Sequence, residues 1–406
     1  MTGTDNTSQS VHGNCRSAGS GCTTGDSERP ASVYVHVPFC KTRCIYCDFY
    51  STTSLPLRQR YVDAVCREMS LRSDYLGGAT VGTIYFGGGT PSQLAADQLR
   101  QLLLYIYKVY PVADDAEVTI EMNPDDVTDA YVEALRQLPF NRVSLGIQTF
   151  DDARLRFIHR RHTAQQAVDA VRRLQSAGYD NISIDLMFGF PGQTPEQWAA
   201  DIDRALSLAT QHVSAYSLMY EEGTRLHSML ADGTIAEIDE EVSLAMYQSL
   251  IEKLSTAGYQ HYEISNFCLP GRQSRHNSGY WNDTHYIGLG AGAHSYNGSA
   301  RQWNVCDLKK YIEGAETGSL AFELEQLNDT QRYNEYVMTR LRTSAGIDLG
   351  RLKEQFGESK LNYCMSLALP YLQDGCLYED KERNTLSLTR KGLFVSNQIM
   401  ADLMEA

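Results

Sequence analysis

Short β-rich runs alternate with amphipathic helical stretches through the first half of this 406-residue chain. That alternation constrains the fold more than any other feature. The runs are SVYVHV (32–37), TIYFGG (83–88), EVTIEMN (117–123), RVSLGIQTF (142–150), NISIDLMFG (181–189) and HVSAYSLMY (212–220). Between them lie stretches such as LRQRYVDAVCREMSLR, SQLAADQLRQLLLYIYKVY, TAQQAVDAVRRLQSAG and PEQWAADIDRALSLAT. Strands alternating with helices imply βαβ units and a parallel sheet. Six such units with right-handed crossovers make an open, partial (β/α)6 barrel, so the expected class is α/β. Barrels of this kind hold their chemistry at the C-terminal ends of the strands.

The loop after the first run reads FCKTRCIYCDFY (39–50), with Cys40, Cys44 and Cys47 inside eight residues. Disulfides and metal ligation are the candidate uses. The polar start MTGTDNTSQSVHGN holds no apolar signal stretch, which predicts a cytoplasmic chain with reduced thiols. A closed structural zinc site takes four ligands, usually as two paired spacings. No second C-x-x-C is present; Cys66, Cys268, Cys306, Cys364 and Cys376 stand singly. Three thiolates and a vacancy suit a 4Fe-4S cluster with one iron left open for a small molecule.

Polar residues close several of the apolar runs. Strand two ends in GGGTP (87–91), strand three carries Glu121 and Asn123, strand four Gln148, and strand five Asp185. Strand ends in a barrel share one rim, so these side chains are expected to converge. A buried unpaired carboxylate is costly, so Glu121 and Asp185 need partners. Taken singly, each is equally a strand-edge group meeting water or a loop amide. The glycines permit positive φ and close approach of a ligand to the backbone, although three glycines at a strand end are also ordinary turn chemistry. No G-x-x-x-x-G-K-[ST] follows, so this is not a phosphate loop.

Residues 1–30 are polar and small, which predicts a disordered extension whose Cys15 and Cys22 are incidental thiols. The remainder divides into a barrel (31–235), an extension (236–320) and a C-terminal helical domain (321–406). The last of these reads as helix, helix, short hairpin and helix, a winged-helix-like order. A net charge of −14 disfavours a nucleic-acid surface, and no apolar run approaches the ~18 residues of a membrane span.

The C-x3-C-x2-C spacing, with Tyr46 before its last cysteine, resembles the radical S-adenosylmethionine (SAM) superfamily. Together YVHVPFCKTRCIYCDFYS, YFGGGTPS, SLGIQTF and DLMFGFPGQT resemble its HemN/HemW group over about residues 32–400. That group joins oxygen-independent coproporphyrinogen III oxidases to haem-chaperone relatives. The resemblance implies cluster ligation by Cys40, Cys44 and Cys47. It implies SAM contacts from Tyr34, Tyr46, Gly88, Gly89, Thr90, Glu121, Gln148, Arg160 and Asp185. Arg160, in FIHRRHT, suits the SAM carboxylate; a solvated helix charge is its other reading.

Departures from the oxidase pattern point to the chaperone side. The oxidases carry a further cysteine two residues after the triad, where this chain has Phe49. Their substrate-related N-terminal portion also has no counterpart. Downstream, SRHNSGYWNDTHYIGLGAGAHSY (274–296) carries the H-N-x-x-Y-W element of the chaperones as His276, Tyr280 and Trp281. A neutral imidazole ligates iron, and Tyr and Trp offer flat faces to a porphyrin. Equally, His276 bonds a loop while Tyr280 and Trp281 join the core. His261, Cys268 and His294 are the next ligand candidates. The expected function is haem binding and delivery to acceptor proteins, membrane-bound ones included. An electron donor and a homodimer are further expected partners. The alternative is radical decarboxylation of coproporphyrinogen III; RNA modification would need a basic surface.

Overall fold

The computed structural model describes residues 30–405. The N-terminal extension expected over residues 1–30, with Cys15 and Cys22, lies outside the described residues except for Pro30. The barrel alternates β1 (Ala31–Val37), α1 (Arg58–Leu71), β2 (Val81–Gly88), α2 (Ala96–Val109), β3 (Val112–Met122), α3 (Asp129–Leu135), β4 (Arg142–Gln148), α4 (Asp152–Phe157), α5 (Ala164–Ser176), β5 (Ile182–Phe188), α6 (Pro195–Leu206) and β6 (His212–Ser217). These six strands pair in parallel and in sequence order. The partial (β/α)6 arrangement is therefore present.

Period-2 chemistry explains how the strands sit. Val33, Val35, Val37, Ile84, Phe86, Ile120, Val143, Leu145 and Ile184 are fully buried in one apolar core with Leu99, Leu102, Val168, Val171 and Ile202 of the helices. The alternate positions are polar and meet one another inside the barrel: Thr83 bonds Ser32, Tyr85 bonds Glu121, Ser144 bonds Asp185 and Ser183 bonds His212. Each strand thus presents an apolar side to the helices and a polar side to the lumen. Capping boxes at Thr163 and Thr194 start α5 and α6.

The chain then adds α7 (Arg225–Ala231), α8 (Glu240–Thr256), β7 (Gln260–Glu263), β8 (Asn266–Cys268), α9 (Arg275–Tyr280), β9 (Tyr286–Leu289), β10 (His294–Tyr296), β11 (Ala300–Asn304), α10 (Leu308–Thr317) and β12 (Phe322–Gln326). Its strands extend the barrel sheet at both edges, giving twelve in the order β12-β11-β10-β9-β1-β2-β3-β4-β5-β6-β8-β7. β9 runs parallel to β1, and β8 antiparallel to β6. β12 lies beyond residue 320 yet pairs with β11. The rest has its own core, including Tyr333, Leu352, Cys364, Leu386 and Leu403. It comprises α11 (Asp329–Leu341), β13 (Ile347–Asp348), α12 (Leu349–Gln373), β14 (Leu377–Asp380), β15 (Thr385–Leu388), α13 (Arg390–Leu393) and α14 (Ser396–Leu403), with α12 broken at Gly357. The helices around a small three-stranded sheet match the winged-helix-like expectation. Among the described residues no helix is long and apolar enough to cross a membrane.

Candidate functional site

The cysteine loop is held at both ends and from above. Cys40 N–H donates to Thr52 O at 2.9 Å, and Thr52 N–H to Pro38 O at 2.7 Å. Lys41 pairs with buried Asp126 at 2.8 Å. Ile45 N–H donates to Ile158 O, and the Ile45 carbonyl accepts from the Leu226 N–H in the first turn of α7. Ile45 and Tyr46 pack with Ile158, Phe190, Leu218 and Leu226 in a small apolar cluster over the loop. These anchors place the three thiols at the C-terminal rim of β1, as the strand order requires.

The glycines of GGGTP are needed where they stand. A Cβ on Gly89 would lie 3.0 Å from Cys40 Sγ, and one on Gly88 (φ +106°) would lie 2.6 Å from the His36 ring. A Cβ on Gly87 would meet Tyr85, Tyr34 and Glu121 Oε1. Thr90 Oγ1 is 3.6 Å from Cys40 Sγ. Arg160 reaches Cys44 Sγ at 3.7 Å and bonds Gly146 O, so it stands beside the thiols and is not a solvated helix charge. Gly146 makes room for it, since a Cβ there would lie 2.8 Å from Arg160 Nη2 and 2.9 Å from Gln148 Nε2. Gln148 itself has φ +71° at an irregularity in the β4–β5 pairing. Left-handed backbone in a non-glycine residue stores strain of order 1–3 kcal/mol and clusters at functional sites.

Both rim carboxylates have partners, as burial demands. Glu121 accepts from the Tyr85 hydroxyl at 2.7 Å. Asp185 accepts from Ser144 Oγ at 3.2 Å. Burial dominates, pushing Glu121 up to about 7 and Asp185 up to about 6. Tyr34 donates or accepts with His36 Nδ1 at 3.1 Å and faces Tyr85 with ring centroids 6.2 Å apart. Tyr216, not singled out from sequence, belongs here too. It shares the lumen phase of His212 and Ser214, and burial first, then Asp185, Glu263 and Glu121, raise the proton affinity of its hydroxyl.

The thiols fit an iron–sulfur core. Burial first, and then the neighbouring thiols, push Cys47 up to about 11, and burial raises Cys40. Partly buried thiols held protonated this way gain from a positively charged core, which deprotonates its sulfur ligands. No group of three or more His, Cys, Asp or Glu side chains among the described residues is placed to hold a single metal ion.

The second signature lies at the other end of the lumen. His276 is 1% exposed. Its Nδ1 meets Thr83 Oγ1 at 2.8 Å and its Nε2 meets the Tyr280 hydroxyl at 3.0 Å. Its ring stacks on Tyr85 with centroids 4.9 Å apart. Burial, then Arg142, pushes this imidazole down to about 3, so it is neutral. Glu117 accepts the first two N–H groups of α9, from Arg275 and His276. Trp281 lies under the Arg342 guanidinium at 4.9 Å. A cavity of about 550 Å3 opens beside α9, lined by Asp115, Glu117, Arg272, Arg275 and Ser278 among others. His276 as folded thus turns inward, and an iron would have to displace Tyr280 from Nε2. Of the other ligand candidates, Cys268 is fully buried and His261 Nε2 bonds Ile264 O. His294 is exposed and stacks on Trp303 at 5.8 Å.

The chain is similar to known proteins over most of its length. Residues 34–205 match the radical SAM superfamily and residues 327–395 the HemN C-terminal domain. The protein named heme chaperone HemW from Bacillus subtilis (strain 168) is 35% identical over 372 residues, 91% of this chain and 97% of its own. The heme chaperone HemW of Mycobacterium tuberculosis (strain H37Rv) is 35% identical over 383 residues, 93% of this chain and 95% of its own. In three dimensions the chain resembles coproporphyrinogen III oxidase (HemN) from Escherichia coli, a radical SAM enzyme. The TM-score is 0.80 at 24% identity, over 93% of this chain and 91% of that one. At that identity the likeness speaks for the fold. Membership of the radical SAM superfamily implies a 4Fe-4S cluster and SAM.

Proposed function

Because this chain belongs to the HemW family of radical SAM proteins, we propose that it binds haem and passes it to acceptor proteins, with a 4Fe-4S cluster and SAM at the mouth of its barrel. Phe49 carries the choice over the oxidase. It is 61% exposed beside the triad, where the oxidase pattern has a cysteine. In this reading Cys40, Cys44 and Cys47 hold three irons. Glu121, Gln148, Arg160, Asp185, Tyr34, Tyr46 and the Gly88–Thr90 backbone receive SAM. When bound, that pair supplies one-electron chemistry. The protein's part is to keep the site shielded and polar on one side. His276 is the proposed iron ligand, its neutral imidazole being the ligating form, released when α9 gives up the Tyr280 contact. Haem acceptors, an electron donor, a homodimer and a cytoplasmic setting belong to the same proposal.

Two measurements test it together. Anaerobic incubation with coproporphyrinogen III, SAM and reductant should release no carbon dioxide, while haem titration gives a saturable Soret band. Steady SAM-dependent decarboxylation would restore the oxidase reading. For the cluster, Cys44→Ala should abolish iron and sulfide incorporation under argon; full cluster content in that variant sinks the triad assignment.

A further inference from the structure

Arg142 opens β4 on its lumen side and is 1% exposed. Its Nε and Nη2 meet no hydrogen-bond partner among the described residues. A buried guanidinium left this way is costly, so something in the lumen must gain from its charge. Strand register shows what lies nearby. Arg142 stands opposite Thr119, Glu121 opposite Ser144, and Gly146 opposite Asp185. Ser144 is the next lumen-facing residue along β4, about 7 Å further on, and its hydroxyl bonds Asp185. Arg142 therefore sits one lumen step beneath Glu121, on the diagonal, and two steps beneath Asp185.

Glu121 takes the Tyr85 hydroxyl, and Asp185 takes the Ser144 and Ser214 hydroxyls. Hydroxyls satisfy lone pairs but do not balance two charges. The other nearby cation, Arg160, bonds Gly146 O and Cys44 and also acts on Asp185 in the direction of ionisation. The field of Arg142 acts on both carboxylates in the direction of ionisation. It acts on Tyr85 of β2, Tyr262 of β7 and Cys268 of β8 in the same sense, and it helps keep His212 of β6 and His276 of α9 neutral. Of the remaining charged groups nearby, Glu117 is taken up by α9 and Glu263 by Asn266 and Ser265.

We propose that Arg142 is a positioning residue for SAM: without touching it, the guanidinium is the internal counter-charge that keeps Glu121 and Asp185 as carboxylates, ready to accept hydrogen bonds. The proposal rests on the reading of those two residues as SAM-binding groups. Two readouts on the cluster-reconstituted protein separate the layers. Carboxyl infrared bands, assigned with Glu121→Gln and Asp185→Asn, report titration without SAM. Equilibrium SAM binding from pH 5.5 to 9 reports the ligand. Arg142→Gln should move the carboxyl midpoints up by about one pH unit and weaken SAM about tenfold at pH 7, with affinity recovering at pH 9. Arg142→Lys should restore both. Unmoved carboxyl midpoints in Arg142→Gln would overturn the proposal. Moved midpoints with unchanged SAM affinity would uphold the counter-charge and overturn the SAM reading of the carboxylates. If Arg142→Gln fails to fold, denaturation of the Glu121→Gln/Asp185→Asn protein decides. With the carboxylates neutral, adding Arg142→Met should not destabilise it; a loss of stability there would overturn the counter-charge.

Discussion

Two sets of buried carboxylates are treated in opposite ways by this fold. Glu68 on α1 is fully buried and fully matched. It accepts from Arg72 at 2.8 Å, Asn304 at 2.7 Å, Gly290 N–H at 2.8 Å and the Tyr311 hydroxyl at 2.5 Å. Arg72 in turn donates to Gly288 O and Ser295. One carboxylate thereby ties α1 to β9, β11 and α10. Glu121 and Asp185 instead sit in a polar lumen with few donors, and their proton affinity is raised. A matched carboxylate has no lone pair left for a ligand. An under-matched one keeps lone pairs free, at a cost in stability. Structure and function divide along that line.

The largest effect should fall on the matched side. Glu68→Gln leaves Arg72 buried without its counter-charge, and breaking such a pair costs about 3–5 kcal/mol. Urea denaturation should show that loss, with SAM affinity unchanged under conditions where the protein is folded. A loss below 1 kcal/mol would mean the Glu68 joint is decorative and the comparison fails on its structural side.

On the under-matched side the order reverses. Asp185→Asn and Glu121→Gln should each weaken SAM binding by ~1–3 kcal/mol, the size for a buried polar group left unmatched, while the protein alone does not lose stability, because burying each carboxylate costs more than the field of Arg142 returns. Calorimetric titration beside thermal melts reads both. Variants that melt early and bind SAM normally would place these residues with Glu68.

The pH dependence sharpens this further. Folding raises the proton affinity of Glu121 and Asp185 above the ordinary carboxylate range. The native state then binds more protons than the unfolded state between about pH 4 and 7, so their contribution to stability declines as pH rises through that window. SAM affinity should change the opposite way, increasing as the carboxylates ionise between about pH 6 and 7. Glu121→Gln should therefore be more stable than wild type at pH 8, with the difference gone by about pH 4. Parallel curves for the two proteins would refute the assignment.

Much of this was legible in the sequence, and the rest was not for a physical reason. Period-2 alternation and helix spacing are local, so β1 to β6 and the polar strand ends could be read directly. Gln148 stood out because it closes an apolar run, and Asp185 because it interrupts one, in the middle of β5. Arg142 was visible only as the start of RVSLGIQTF, although it shares the phase of Ser144. Tyr216 was hidden the same way inside HVSAYSLMY. The Glu68 joint had no local sign at all, since its partners other than Arg72 lie more than 200 residues downstream. Pairing of β9 beside β1 is equally non-local.

His276 is the residue that tries the comparison hardest, because it is matched and yet proposed as a ligand. Both ring nitrogens are bonded, by Thr83 and Tyr280, in the manner of Glu68. If it ligates haem iron, the Tyr280 hydroxyl competes with the metal for Nε2. Removing that competitor should favour haem, since a net hydrogen bond is worth about 0.5–1.5 kcal/mol. Tyr280→Phe should therefore bind haem up to about tenfold more tightly, while His276→Ala alters the Soret band and loses retention. The phenyl ring keeps the edge-on packing against the imidazole, now 5.2 Å between centroids, so the fold is little disturbed. Equal haem affinity in wild type and Tyr280→Phe, together with a normal Soret band in His276→Ala, would make His276 a structural group like Glu68. The exposed imidazole of His294 beside Trp303 would then be the ligand to remove next.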